Sequence, residues 1–278
     1  MSFIIKKASK QAKKLRILLS ASSGSGKTYG ALLIANGITD NWDKVCVIDT
    51  ERDSASIYSD FGEFNVISLD APYTPERFID AISAAEDAGM EVIVIDSITH
   101  EWSGQGGCLD LHSKLGGTFQ DWGKITPRHN NFIDKMLRSS AHIIATVRRK
   151  EDYVMSQTAS GRTKVEKLGM AEVQRDGINY EFDIVFEITN SNHYTKATKD
   201  RTRLFIDSEE ALITKDTGKV LKDWASAGRS ELDDVMDLIR NCKSIEELRT
   251  IHENYPSIHQ NPDYLVAKNK KKEEFINQ

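Results

Sequence analysis

Lys27 and Thr28 close a run of small residues, Ala21-Ser22-Ser23-Gly24-Ser25-Gly26, and so place a cation and a hydroxyl where a phosphate-binding loop needs them. Small residues let successive backbone N–H groups turn inward around a phosphate, while a following helix aims its positive dipole end at the same charge. On this reading Lys27 reaches the β- and γ-phosphate oxygens and the Thr28 hydroxyl ligates Mg²⁺. Ala21 stands where the pattern has its first glycine. A dinucleotide fingerprint fits less well, because Gly24 and Gly26 supply two glycines but the third required position is Tyr29. The plainer alternative is a turn that only caps a helix. The Gly26-Lys27-Thr28 ending and the flanking apolar run and helical segment argue against it.

Two aspartates end apolar runs, Asp49 after Val45-Cys46-Val47-Ile48 and Asp96 after Val92-Ile93-Val94-Ile95. Beside a phosphate loop, a carboxylate at the end of a buried strand holds Mg²⁺ through a water, which is the role expected of Asp96. Glu51 lies just past Asp49 and Glu101 just past Asp96. Either carboxylate could orient an attacking water, and position alone leaves Glu51, Glu101 and neither as equal alternatives. His112, four residues after Cys108, has the spacing of a metal pair, but without a second pair it is read as structural.

These groups need a scaffold. Leu15 to Leu19 predicts a strand and Tyr29 to Ile38 a helix. Val45–Asp49, Val66–Leu69 and Val92–Ile95 predict buried strands, with a helix over Glu76 to Ala88. A helix over Arg128 to Ser139, a strand over His142 to Val147 and a strand over Phe182 to Ile188 follow, the last paired as a hairpin with His193 to Thr198. Strand and helix in alternation predict an α/β fold, a mostly parallel sheet with helices on both faces and ligands at the strands' carboxyl ends. Residues 100–128, rich in glycine and carrying Trp102, Phe119 and Trp122, and the polar residues 148–175 are expected to be long irregular loops, the second mobile. From residue 226 the pattern predicts a small helical appendage capped by Ser230 and Ser244, with Leu232, Val235, Met236 and Ile239 as its own core. The expected divisions are a basic arm, 1–14, a core, 15–225, and the appendage, 226–278.

The 278 residues carry a net charge of −5, which gives no global attraction to polyanions. Any such contact must come from local basic patches. One candidate is residues 2–16, with Lys6, Lys7, Lys10, Lys13, Lys14 and Arg16 and no acid, read first as a solvated arm. Three scattered cysteines and no apolar run of membrane-spanning length lead to the expectation of a cytoplasmic protein with no membrane partner.

Ile48-Asp49-Thr50-Glu51, Val94-Ile95-Asp96-Ser97 and Ile144-Ala145-Thr146-Val147-Arg148 resemble three successive strand ends of RecA-type recombinase ATPases. The phosphate loop, Asp96 to Trp102, Thr126-Pro127-Arg128-His129-Asn130 and Gln174-Arg175-Asp176-Gly177 together resemble phage-encoded RecA-like P-loop ATPases, a group near the phage single-strand annealing proteins. The resemblance covers about residues 15–205. It implies a RecA-like P-loop NTPase core that binds ATP and Mg²⁺, with Glu51 rather than Glu101 activating water. Thr146 matches a position that usually carries a glutamine sensing the γ-phosphate. The segment Lys196 to Arg203 resembles a strand end whose paired cations, here Lys199 and Arg201, reach a neighbouring subunit's nucleotide. That implies a homo-oligomer, ring or filament, with the nucleotide between subunits. The family binds DNA through the two loops noted above. By carry-over Arg128, Arg148, Arg149, Lys150, Arg162 and Lys164 would neutralise single-stranded DNA phosphates, and Trp122 or Tyr153 would stack a base, with Trp122 as a loop anchor the alternative. A small-molecule kinase with an arginine-rich lid at 148–164, and a nucleotide-gated binding module with incidental hydrolysis, are the competing functions.

Overall fold

The computed structural model describes residues 13–157, 163–189, 192–227 and 231–276. Elements in chain order are β1 (Arg16–Ala21), α1 (Lys27–Thr39), β2 (Val45–Asp49), β3 (Asn65–Ser68), α2 (Pro75–Asp87), β4 (Val92–Asp96), α3 (Thr99–Ser103), α4 (Cys108–Lys114), α5 (Trp122–Arg138), β5 (His142–Gln157), β6 (Thr163–Glu172), β7 (Ile184–Ile188), β8 (Tyr194–Asp200), β9 (Ala211–Leu212) and α6 (Lys215–Ser226). A second compact unit begins at Ala225 and holds α7 (Glu231–Asn241), α8 (Ile245–Asn254) and α9 (Pro262–Ile276).

The main sheet runs β3-β2-β4-β5-β1-β7-β8-β9, with β1, β2, β3, β4, β5 and β7 parallel to their neighbours and β8 and β9 antiparallel. This is the α/β fold expected. Unbroken apolar runs suit strands covered on both faces, and β1, β2 and β4 are buried along their whole length. Successive side chains alternate between faces. Leu18, Ile48, Ile93, Ile95 and Ile143 pack with Phe78 and Ile82 of α2 and Phe132 and Met136 of α5. Leu19 faces the other way, toward α1. There α6 lies against α1 so closely that a Cβ on Gly37 would stand 2.1 Å from the Lys215 carbonyl oxygen.

Three expectations are corrected. Residues 100–128 form α3, α4 and the start of α5, because their glycines fall at helix boundaries; α5 begins at Trp122 and carries Pro127 inside it. Residues 148–175 are mostly a β-hairpin: β5 continues past the parallel sheet and turns back antiparallel as β6. Arg16 is not part of a solvated arm. It is 5% exposed, donates from its guanidinium to the carbonyls of Ala141, Leu137 and Ser139, and burial pulls its pKa down to about 10. Most of the expected arm, residues 1–12, lies outside the described residues, as does the expected cap Ser230.

The second unit has its own core of Val235, Ile239, Leu248, Ile258 and Tyr264, the last with no exposed surface. Ser244 caps α8 by accepting from the Glu247 N–H at 3.1 Å. Among the described residues no helix is long and apolar enough to cross a membrane.

Candidate functional site

The small-residue run links β1 to α1 at the carboxyl edge of the sheet. Gly24 and Gly26 have φ of +78° and +85°, the left-handed region in which a side chain is strained, so the glycines of this loop answer to its geometry. Ala21, which replaces the pattern's first glycine, is the last residue of β1 and keeps strand geometry. The Lys27 ammonium donates to the Ser22 carbonyl at 2.8 Å, and the Ser25 hydroxyl donates to the same oxygen at 3.0 Å. The loop is thus folded with its lysine resting on its own backbone.

A cavity of about 860 Å³ opens over this loop, lined by Ser23 to Gly30, Leu33, Glu51, Ser54, Tyr58, Asp96, Arg148, Ile188, His193, Thr195 and Leu212 to Lys215. One end is polar and cationic; the other is walled by Leu33, Ile188, Leu212 and Ile213. Ala21 and Ser22 do not line the cavity.

Asp96 is 2% exposed and accepts two hydroxyls, Thr28 Oγ1 and Thr146 Oγ1, each at 2.5 Å. Burial pushes its carboxyl above the usual range, against those two donations. Burial likewise pulls the Lys27 ammonium down, against the attraction of Asp96 and Glu51. Asp49 serves the backbone instead, accepting from the N–H groups of Glu51 at 2.6 Å and Ala55 at 2.8 Å, and so fixes the turn that carries Glu51. Thr28 and Asp96 offer hard oxygen atoms to one point at the cavity floor, a donor set that fits Mg²⁺.

The two candidate acids part company here. Glu51 lines the cavity, with Oε1 accepting from Arg148 Nε at 3.0 Å and Ser97 Oγ at 3.2 Å, and Oε2 accepting from Arg148 Nη2. Glu101 has no exposed surface and accepts from Cys108 Sγ at 3.0 Å, His129 Nδ1 at 3.0 Å and Gln174 Nε2 at 3.3 Å. Burial and that neighbouring carboxylate push the Cys108 thiol far up, so it stays protonated. Thr146 is wholly buried and spends its hydroxyl on Asp96, so its side chain does not reach the cavity as a γ-phosphate sensor would.

The profile of the AAA domain family AAA_24 matches residues 13–218. The chain belongs to the AAA domain family. No curated protein matches it. Among solved structures, the KaiC-like protein PH0186 from the hyperthermophilic archaeon Pyrococcus horikoshii OT3 is similar, with 18% identity and a TM-score of 0.39 over 72% of this chain and 83% of that one.

This AAA domain uses residues that its motifs do not reveal. His193, at φ +60° in the turn entering β8, donates from Nδ1 to the Ser25 carbonyl at 3.1 Å. Tyr29 and Tyr58 line the cavity; Tyr29 meets Phe61 edge to face and Tyr58 meets it tilted, while Ile213 packs on Gly30. His193 and Ile213 reach the loop because β7, followed by β8 and β9, lies beside β1, which no local pattern encodes.

Three of the six basic residues assigned to DNA are engaged within the domain. Arg128 makes two bonds of 2.7 Å to the Glu76 carboxylate, joining α5 to α2. Arg149 pairs with Glu187 and donates to the Met170 carbonyl at 2.7 Å. Arg148 pairs with Glu51. Trp122 is stacked with Trp102 at 5.6 Å and with His112 at 4.0 Å, so its ring ties α5 to α3 and α4. Lys150 is exposed and lines a second groove of about 1140 Å³ with Phe119, which is 91% exposed, and Arg175. Lys164 stands opposite Ser156 in the register of the hairpin backbone; Arg162 and the side chains of Lys164 and Tyr153 lie outside the described residues. Lys199 and Arg201 stand at the opposite end of the sheet from the loop, where Arg201 N–H bonds Asp183 and Asp183 N–H bonds Arg16. Lys199 Nζ donates to the Asn179 and Tyr180 carbonyls at 2.9 and 2.6 Å, and Arg201 Nη2 to the Tyr180 carbonyl at 3.2 Å.

Proposed function

We propose that the chain is an oligomeric, Mg²⁺-dependent ATPase acting on single-stranded DNA in recombination, replication or annealing, the setting of the phage ATPases its sequence resembles. The observation that carries the nucleotide reading is the convergence of Lys27, Thr28, Asp96 and Glu51 on one cavity, at the edge where β1, β2 and β4 end and β5 runs on past the parallel sheet. Loop N–H groups and the amino end of α1 receive the β-phosphate, and Lys27 leaves the Ser22 carbonyl for the β- and γ-oxygens. Thr28 and Asp96 would hold Mg²⁺, which would supply positive charge against the transferring phosphate. Glu51 orients a water toward the γ-phosphorus and accepts its proton as the bond to the β-phosphate oxygen breaks. Lys199 and Arg201, too far from their own loop, act on the nucleotide of the next subunit.

The DNA reading is supported by the groove beside the hairpin, where the exposed Phe119 ring can stack a base and Lys150 and Arg175 can meet phosphates. This shifts the contact from Trp122 to Phe119. ATP turnover with and without single-stranded DNA tests the whole reading. Stimulated turnover, lost in Lys27→Ala, is expected. Turnover that rises only with a small-molecule acceptor replaces the DNA reading with a kinase.

A further inference from the structure

Two cations face the cavity near the proposed metal position, and the phosphate loop accounts for only one. Thr146 and Arg148 are two residues apart on β5 and project to the same face. Thr146 ends on Asp96, and Arg148, next in that row, lines the cavity beside Glu51 and Lys27. Its backbone is fixed, since the Arg148 N–H donates to Thr99 Oγ1 at 2.9 Å. The Arg148 side chain is 39% exposed, so beyond that anchor it is not enclosed by packing.

Both cations are held by protein oxygens, Lys27 by the Ser22 carbonyl and Arg148 by Glu51. Both Glu51 oxygens accept from that guanidinium, and Oε1 accepts from Ser97 as well. Glu51 is therefore committed to a neighbour, and a water entering the site must compete with an arginine fork for it. A terminal phosphate offers the same fork a doubly charged partner with three oxygens, whereas a diphosphate ends before it.

We propose that Arg148 is this domain's own reader of the terminal phosphate. It leaves Glu51 for the γ-phosphate of a bound nucleoside triphosphate and thereby frees the carboxylate to hold water. The assignment rests on the nucleotide reading above. It also moves Arg148 from DNA contact to nucleotide contact, and supplies the sensing that buried Thr146 does not.

The test is the affinity of the full chain, with Mg²⁺, for ADP and for the non-hydrolysable β,γ-imido analogue of ATP. Arg148→Gln is expected to weaken the analogue by about tenfold or more, the scale of a charged hydrogen bond, while leaving ADP nearly unchanged. Glu51→Gln, which takes the charge off the resting partner, is expected to shift the preference toward the analogue, and it serves as the readout if Arg148→Gln does not fold. A merely structural ion pair would alter thermal stability in both variants without moving the ratio of the two affinities. Equal effects on both nucleotides, or an unchanged preference in both variants, overturns the role of Arg148. If the wild-type chain binds neither nucleotide, or Lys27→Ala binds both as well as wild type, the nucleotide reading itself falls and takes this assignment with it.

Discussion

Asp96 is the residue at which the proposed site is knotted together, since Thr28 of α1 and Thr146 of β5 both donate to it. Removing one donor leaves part of a buried carboxylate unsatisfied, which costs about 1–3 kcal/mol. Thr146→Val, nearly isosteric, is expected to lower thermal stability by that amount. A wild-type melting curve would show the hydroxyl to be dispensable. Glu51→Gln keeps the shape of the side chain and loses the proton acceptor. It is expected to bind nucleotide yet hydrolyse it roughly 10²–10⁴-fold more slowly in single-turnover assays. Normal hydrolysis in that variant would remove Glu51 from the mechanism, and the buried Glu101, closed in by Cys108, His129 and Gln174, offers no replacement.

Elements hold these residues through close approaches that depend on small or neutral groups. The α1–α6 crossing is set by Gly37 and Gly218, where a Cβ on Gly218 would stand 2.3 Å from the Ile34 carbonyl. Gly37→Ala is expected to cost about 1–3 kcal/mol or more, read as a lower unfolding temperature. His142 opens β5 and accepts the Leu15 N–H on Nδ1 at 3.1 Å, which the neutral ring alone can do. Burial, with Lys14 and Arg16 nearby, pulls its pKa down to about 3. Because the unfolded chain takes up this proton near pH 6.5 and the folded chain does not, stability is complete above that pH and falls on acidification toward pH 3, by up to about 1.4 kcal/mol per unit. His142→Asn, which keeps an acceptor but cannot titrate, is expected to flatten that part of the stability profile. An unchanged acid slope would exclude His142 as its source.

For the whole molecule the decisive placement is that of Lys199 and Arg201: at ~3.3 Å per residue Arg201, level with Arg16, lies roughly 16 Å along β1 from Ala21, and Lys199, level with Leu18, about 10 Å. They cannot serve their own nucleotide. If they serve a neighbour's, mixing Lys27→Ala with Arg201→Ala chains, each inactive alone, should recover turnover, because mixed contacts pair an intact loop with an intact arginine. No recovery, or a fully active monomer, would confine the chemistry to one chain. Arg201 is 54% exposed although it also meets Asp183, so it is available at such a contact.

Local sequence determined the phosphate loop, the buried strands and the positions of Glu51 and Asp96, because each is written in consecutive residues: a small-residue turn, an apolar run, an acid at its end. It also carried the alternation that dictates a parallel sheet. Tertiary structure alone put Glu51 on the cavity wall and closed Glu101 off from it, since exposure to the cavity depends on what packs around each acid. It turned residues 100–128 from loop to helix, where Trp122 stacks with Trp102 and with His112 in contacts between separate helices. Above all it paired Arg148 with Glu51, 97 residues apart in the chain. That partnership exists because β4 lies between β2 and β5 in the sheet, an order fixed by which long-range contacts bury the most apolar surface and recorded in no stretch of neighbouring residues.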